Sequence, residues 1–174
     1  TGEIFRHWVD SKSHVPHFFD YESCLLVSFN AVAEHGVFLN LLHGQPKYMV
    51  DCFVENKCLY GPFISKNKTG LIDTCARYNI DTIGKEQKDN ELDLILRRNQ
   101  YDHKPFIYSL DEQQQILDYC QSDVEETAKL FISQMADIEN KNNLKTDKQF
   151  NQKLFEMTFR GYSQGCFAKI EKNG

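Results

Sequence analysis

The chain lacks any long apolar run. That excludes a segment of the ~20 apolar residues that a membrane-crossing helix needs. No signal-peptide pattern opens it. It also lacks Cys-x-x-Cys. Its cysteines stand at 24, 52, 58, 75, 120 and 166, and no histidine follows at zinc-finger spacing. The gap between Cys52 and Cys58 is poor for a metal, so a structural zinc is not expected. Several thiols lie in apolar runs, as Cys24 does before Leu25-Leu26-Val27, where cysteine acts as a small hydrophobe. That usage fits a reducing compartment, and a cytoplasmic location is expected. A basic excess is missing too: 20 Lys and Arg stand against 25 Asp and Glu, a net charge of −5. This excludes a surface that grips nucleic acid all over, but leaves room for a local basic groove beside an acidic site. There is no internal repeat. What remains is an ordinary globular balance, 41% hydrophobic and 26% charged over 174 residues, suited to one domain or a domain with an appendage.

Along the chain, residues 3–10 (EIFRHWVD) alternate and predict a strand with one wet face. Residues 11–17 read as a loop. Cys24 to Phe29 form a short continuous apolar run, the mark of a strand covered on both faces. Asn30 follows as a helix cap. Residues 31–44 then predict a helix with apolar Val32, Ala33, Val37, Phe38, Leu41 and Leu42, ended by Gly44 and Pro46. A second strand ends near Asp51. Strand, helix, strand make one βαβ-like unit. The middle is mostly helical: residues 69–80 with Leu71, Ile72, Cys75 and Ala76 on one stripe and Asn79 as a stop, then 85–98 burying Leu92, Ile95 and Leu96. Residues 100–109 read as a loop with a proline. The longest helix starts at a capping box, Ser109 with Glu112. Its expected buried stripe is Ile116, Cys120, Val124, Ala128, Phe131 and Met135. Residues 140–148 are polar and read as a linker. The last helix, 149–174, carries Phe150, Leu154, Met157, Phe159, Tyr162, Phe167 and Ile170, and is too apolar to stay unpacked.

Two patterns carry chemistry. Tyr119-x-x-x-Asp123 on a helix sets a phenol and a carboxylate one turn apart on one face. Alone it also fits a half-buried tyrosine beside a solvated aspartate. The second is a buried strand ending at Asn30, with Glu34 one turn into the helix. Asn30 as a plain cap and Glu34 as a favourable first-turn charge are the ordinary alternatives.

With these residues placed, the chain resembles the 3′–5′ exonuclease domain of family A DNA polymerases, of the DEDDy type, most of all phage-type and divergent bacterial members. The matching segments are LLVSFNAVAEHGVFLNLL, YMVDCFVENKCL, GKEQKDNELDLIL and QQQILDYCQSDVEETAKLF, in the family's order. The resemblance implies an α/β ribonuclease H-like fold, a mixed sheet flanked by helices, over residues 1–139. Residues 140–148 would be a linker, and the helix 149–174 would lead toward a polymerase body. It implies that Asp123 and Glu34 are ligands of Mg²⁺ or Mn²⁺ in a two-metal site. Tyr119 would orient the attacking water, Asn30 would touch the substrate, and Lys88 would be the basic residue near the site. Asp51 matches an acidic position expected to be structural. The implied partners are a single-stranded DNA 3′ end and the polymerase domain of the same longer chain.

The resemblance has a gap. The family's first motif is Asp-x-Glu on the first strand, and Asp20-Tyr21-Glu22 has those letters. Only eleven residues separate Glu22 from Glu34, too few for the intervening strands. The true first strand is therefore expected before Thr1, and Asp20 or Ser23 is expected to cap a turn instead. This chain by itself is expected to hydrolyse DNA poorly or not at all. The rival expectation is a degenerate exonuclease-fold module that braces a polymerase or guides a strand. A ribonuclease D-like RNA exonuclease is disfavoured by the last helix.

Overall fold

A computed structural model describes residues 3–9, 20, 23–40, 42, 46–61, 68–96, 108–142, 144 and 146–173. Among them the architecture is mixed α/β, with a two-stranded parallel sheet and six helices. Strand β1 (Leu25–Ser28) leads through helix α1 (Val32–Asn40) to strand β2 (Tyr48–Asp51). The strands pair in parallel, Leu25 with Tyr48 through Ser28 with Asp51, so the expected βαβ unit is present. Leu25, Leu26 and Val27 are only half-buried. The expectation of a strand covered on both faces is thus not met, because Val27 lines an open cavity.

Helix α2 (Cys52–Tyr60) follows β2 at once. The Asp51 carboxylate starts it by accepting from Phe53 N at 2.9 Å. Helix α3 (Leu71–Arg77) ends where Asn79 turns left-handed, φ 53°, a conformation asparagine tolerates better than most residues. Helix α4 (Lys85–Leu96) buries Glu91, which accepts from Gln115 Nε2 at 2.9 and 3.0 Å. Leu92 and Ile95 are half-buried and Leu96 is exposed.

Helix α5 (Leu110–Asn142) begins at the expected capping box. Glu112 N donates to Ser109 Oγ at 3.2 Å, and Ser109 N donates to Glu112 Oε2 at 2.7 Å. Its buried face differs from the expected stripe. Ile116, Thr127, Leu130, Gln134, Met135 and Ile138 are buried, whereas Cys120, Val124 and Ala128 are exposed. Successive steps of four rotate by about 40° each, so a stripe drawn at i, i+4, i+8 leaves the core face within a few turns.

Two apolar clusters make the core. Val50, Met135, Ile138 and Met157 form one, with Leu25, Leu59, Phe150 and Leu154 against it. Cys52, Leu71, Cys75 and Leu130 form the other, with Val27, Phe29 and Ile80 against it. Phe131 touches both. Helix α6 (Asp147–Asn173) lies against β2, so it packs on the domain itself. A Cβ on Gly161 would stand 2.5 Å from Met49 O, which measures how closely helix and strand backbones approach. Arg160, one residue earlier, clamps Glu55 of α2 with two hydrogen bonds, 2.8 and 2.6 Å. Phe159 faces outward, 67% exposed, against expectation, and Phe155, for which no burial is expected, is equally exposed. Of the segment expected as a linker, residues 140–142 end α5 and residues 147–148 begin α6.

Residues 3–9 are not a strand. Period-two alternation needs an edge to pair with. This segment is instead held to α5 by Arg6 on Asp118 (2.5 Å) and to Tyr108 by Trp8, whose rings meet edge-on at 5.4 Å. The expected loop residues 11–17 and 100–107 lie outside the described residues, as do Phe18, Phe19, Tyr21, Glu22, Leu41, Gly44 and the side chains of Tyr162, Phe167 and Ile170. Ser23 Oγ donates to Asp20 Oδ2 at 2.7 Å, the expected turn. No helix among the described residues is long and apolar enough to cross a membrane.

Candidate functional site

The site begins at the strand-to-helix corner. Asn30 stands there with φ 65°. Its amide and that of Ala31 donate to the two oxygens of the Asp51 carboxylate, at 2.9 and 3.0 Å. Ala31 O then accepts the first bond of α1 from His35 N. The cap thus sits at Ala31, and the corner is held from β2 by Asp51. This fully buried carboxylate has three backbone donors, the structural part expected of it.

That corner, the first turn of α1, α4 and the middle of α5 enclose a cavity of about 390 Å³. Asn30, Glu34, Lys88 and Asp123 all line it, so four of the five site residues named from the sequence meet in one place. Lys88 Nζ donates to Asp123 Oδ1 at 2.7 Å and stands 5.4 Å from the centre of the Tyr119 ring. Glu34 Oε2 is buried and has no hydrogen-bond partner among the described residues. Burial pushes the Glu34 carboxyl above its ordinary value, and the nearby Asp51 charge adds to the rise.

Tyr119 is the exception. It lines a neighbouring cavity of about 400 Å³, with Gln87, Glu91, Asp111, Gln115 and Asp118 among its neighbours. It reaches the first cavity only through Lys88 and Asp123. Burial raises its phenol well above the ordinary value, with the Asp123 carboxylate adding to the effect. The group is therefore a neutral donor at physiological pH, suited to orient a bound oxygen and unsuited to act as a base.

Sequence reasoning missed the apolar wall of the first cavity. Val27, Phe29, Leu71, Val124 and Ala128 form it. Val124 and Ala128, expected in the buried stripe of α5, are exposed and rotate outward into the cleft. One wall is thus apolar and the other carries amide, ammonium and carboxylate.

The donor set limits what metal this arrangement can hold. Among the described residues no group of three or more His, Cys, Asp or Glu is placed to bind an ion. The cavity offers Glu34 and Asp123, and Asp123 is already paired. Two divalent ions need more carboxylate charge than this. The described residues do not fit the expected two-metal centre by themselves.

Compared with known protein families, characterised proteins and solved structures, the chain matches none.

Proposed function

We propose that the chain is the exonuclease-type domain of a family A DNA polymerase-like protein, with a ribonuclease H-like fold, and that its cleft receives the 3′ end of a single DNA strand. The observation that supports this is the meeting of Asn30, Glu34, Lys88 and Asp123 on one cavity, although they come from separate stretches of sequence. The cavity suits a strand end. An apolar wall can take the face of a base, and the polar wall can meet sugar and phosphate. In this reading the complete cytoplasmic protein cleaves phosphodiester bonds in the 3′–5′ direction with Mg²⁺ or Mn²⁺. Glu34 and Asp123 alone are too few to hold that pair of ions, so no hydrolytic step is assigned to them.

The test uses a 5′-labelled single-stranded oligonucleotide with a free 3′-hydroxyl. Anisotropy reads binding and a gel reads shortening in Mn²⁺. Binding is expected, weakened by Lys88→Glu and poorly competed by a circular single strand, with little or no shortening. No binding, or binding that Lys88→Glu leaves unchanged while circular dichroism shows a folded variant, would overturn the proposal. A second reading, a strand-guiding module without chemistry, is favoured by the pairing of Asp123 with Lys88. Metal-dependent shortening by this chain would exclude it.

A further inference from the structure

We infer that Lys88 is the resident cation of the cleft and that it keeps Asp123 from serving a divalent metal ion. The inference goes beyond the reading above and stands whether or not a strand enters. It starts from the mismatch between the expected two-metal chemistry and the side chains that line the cavity.

Lys88 Nζ lies 2.7 Å from Asp123 Oδ1, with the two side chains 18% and 31% exposed. A charge-assisted bond in a partly sheltered cleft is screened by salt less than a surface pair. The Tyr119 ring, 5.4 Å from the ammonium, is within range of a cation–π attraction. The ammonium is thus held from two sides. Among the described residues the cavity is lined by two carboxylates and this one cation. Asp123 is already paired with this ammonium, while Glu34 Oε2 has no hydrogen-bond partner among the described residues.

A divalent ion at Asp123 would have to displace the ammonium and leave it unpaired in a confined space. Repulsion between the ion and Lys88 would oppose binding at every step. In the chain as it stands, Asp123 is a carboxylate whose charge has already been answered. Removing the ammonium should release Asp123.

The experiment measures Mn²⁺ alone, by the electron paramagnetic resonance of the free ion, with thermal shift as a second readout. Wild type is expected to bind weakly and to show no shift of its melting temperature with Mn²⁺. Lys88→Met keeps the stem and removes the charge. It should bind Mn²⁺ about tenfold tighter, given the size of a unit-charge repulsion at close range, and should melt higher with the ion. Lys88→Arg should behave as wild type. Lys88→Met combined with Asp123→Asn should lose the gain. A Lys88→Met protein with no gain, or a gain that survives Asp123→Asn, overturns the inference. If Lys88→Met does not fold, Asp123→Asn in the wild type decides. Unchanged Mn²⁺ binding supports the inference, and lost binding overturns it. Mn²⁺ bound tightly by wild type through Asp123 would sink this inference and leave the strand-binding cleft standing. Absence of strand binding would do the reverse.

Discussion

Glycine to alanine is usually a gain in the middle of a helix, and Gly161 should break that rule. Its place on α6 puts an added Cβ 2.5 Å from Met49 O, 3.2 Å from Met49 C and 3.3 Å from Asp51 N. All three atoms are β2 backbone, so no side chain can swing aside. The first distance is about 1 Å short of ordinary non-bonded contact. Overpacking of this kind costs ~1–3 kcal/mol. The intrinsic preference of helices for alanine returns about 1 kcal/mol. The net loss is then about 0–2 kcal/mol, or a melting temperature lower by up to about 8 °C for a chain of this length. Gly36 of α1 is the matched control, because a Cβ there meets nothing within 4 Å. Gly36→Ala should stabilise by about 0.5–1 kcal/mol. Calorimetry of the two variants compares one chemical change in two settings. If Gly161→Ala raises the melting temperature as Gly36→Ala does, α6 does not seat on β2 as described.

Two further outcomes follow from charged groups. Arg160→Met should cost about 3 kcal/mol in urea unfolding, near the lower end for breaking a buried pair. It leaves Glu55, with only 2% of its side chain exposed, without its cation, while Arg160 itself is 29% exposed. Adding Glu55→Met should restore much of the loss, and additive costs would contradict the pairing. Glu34 sets a pH dependence. Its folded pKa is raised above the ordinary 4.5, so between those two values the folded state holds more protons than the unfolded one, and stability falls as pH rises through that window. Glu34→Gln should lose this slope and gain stability relative to wild type above it. Melting curves across the acid-to-neutral range would refute this if the two proteins stay parallel.

The elements that could be read from the sequence are those whose reasons are local. The capping box at Ser109 and Glu112, the left-handed stop at Asn79 and the apolar run of β1 all act within a few residues, and all appear. Helix α2 was missed because its pattern is inverted: Glu55 and Asn56 are buried, while Lys57 and Cys58 are exposed. Glu55 is matched by Arg160, and Asn56 donates to Thr74 at 3.4 Å. No window around α2 contains either partner. The site shows the same division. The spacing of Asn30 and Glu34 is a local fact of one corner and one turn. The ion pair of Lys88 with Asp123 spans 35 residues and depends on how α4 lies against α5. The position of Tyr119 beside a second cavity depends on helix rotation, which the α5 stripe had misjudged.

Asp51 has a consequence for when the cleft exists at all. One carboxylate holds the amides of Asn30, Ala31 and Phe53, so the corner that presents Asn30 and the start of α2 share a single fastening. Neither can loosen alone without exposing that carboxylate in a closed interior. The cleft lip is irregular backbone, yet it should not breathe like a loop. Its amide protons should exchange with solvent on the same clock as the strand behind it, opening only when the sheet does.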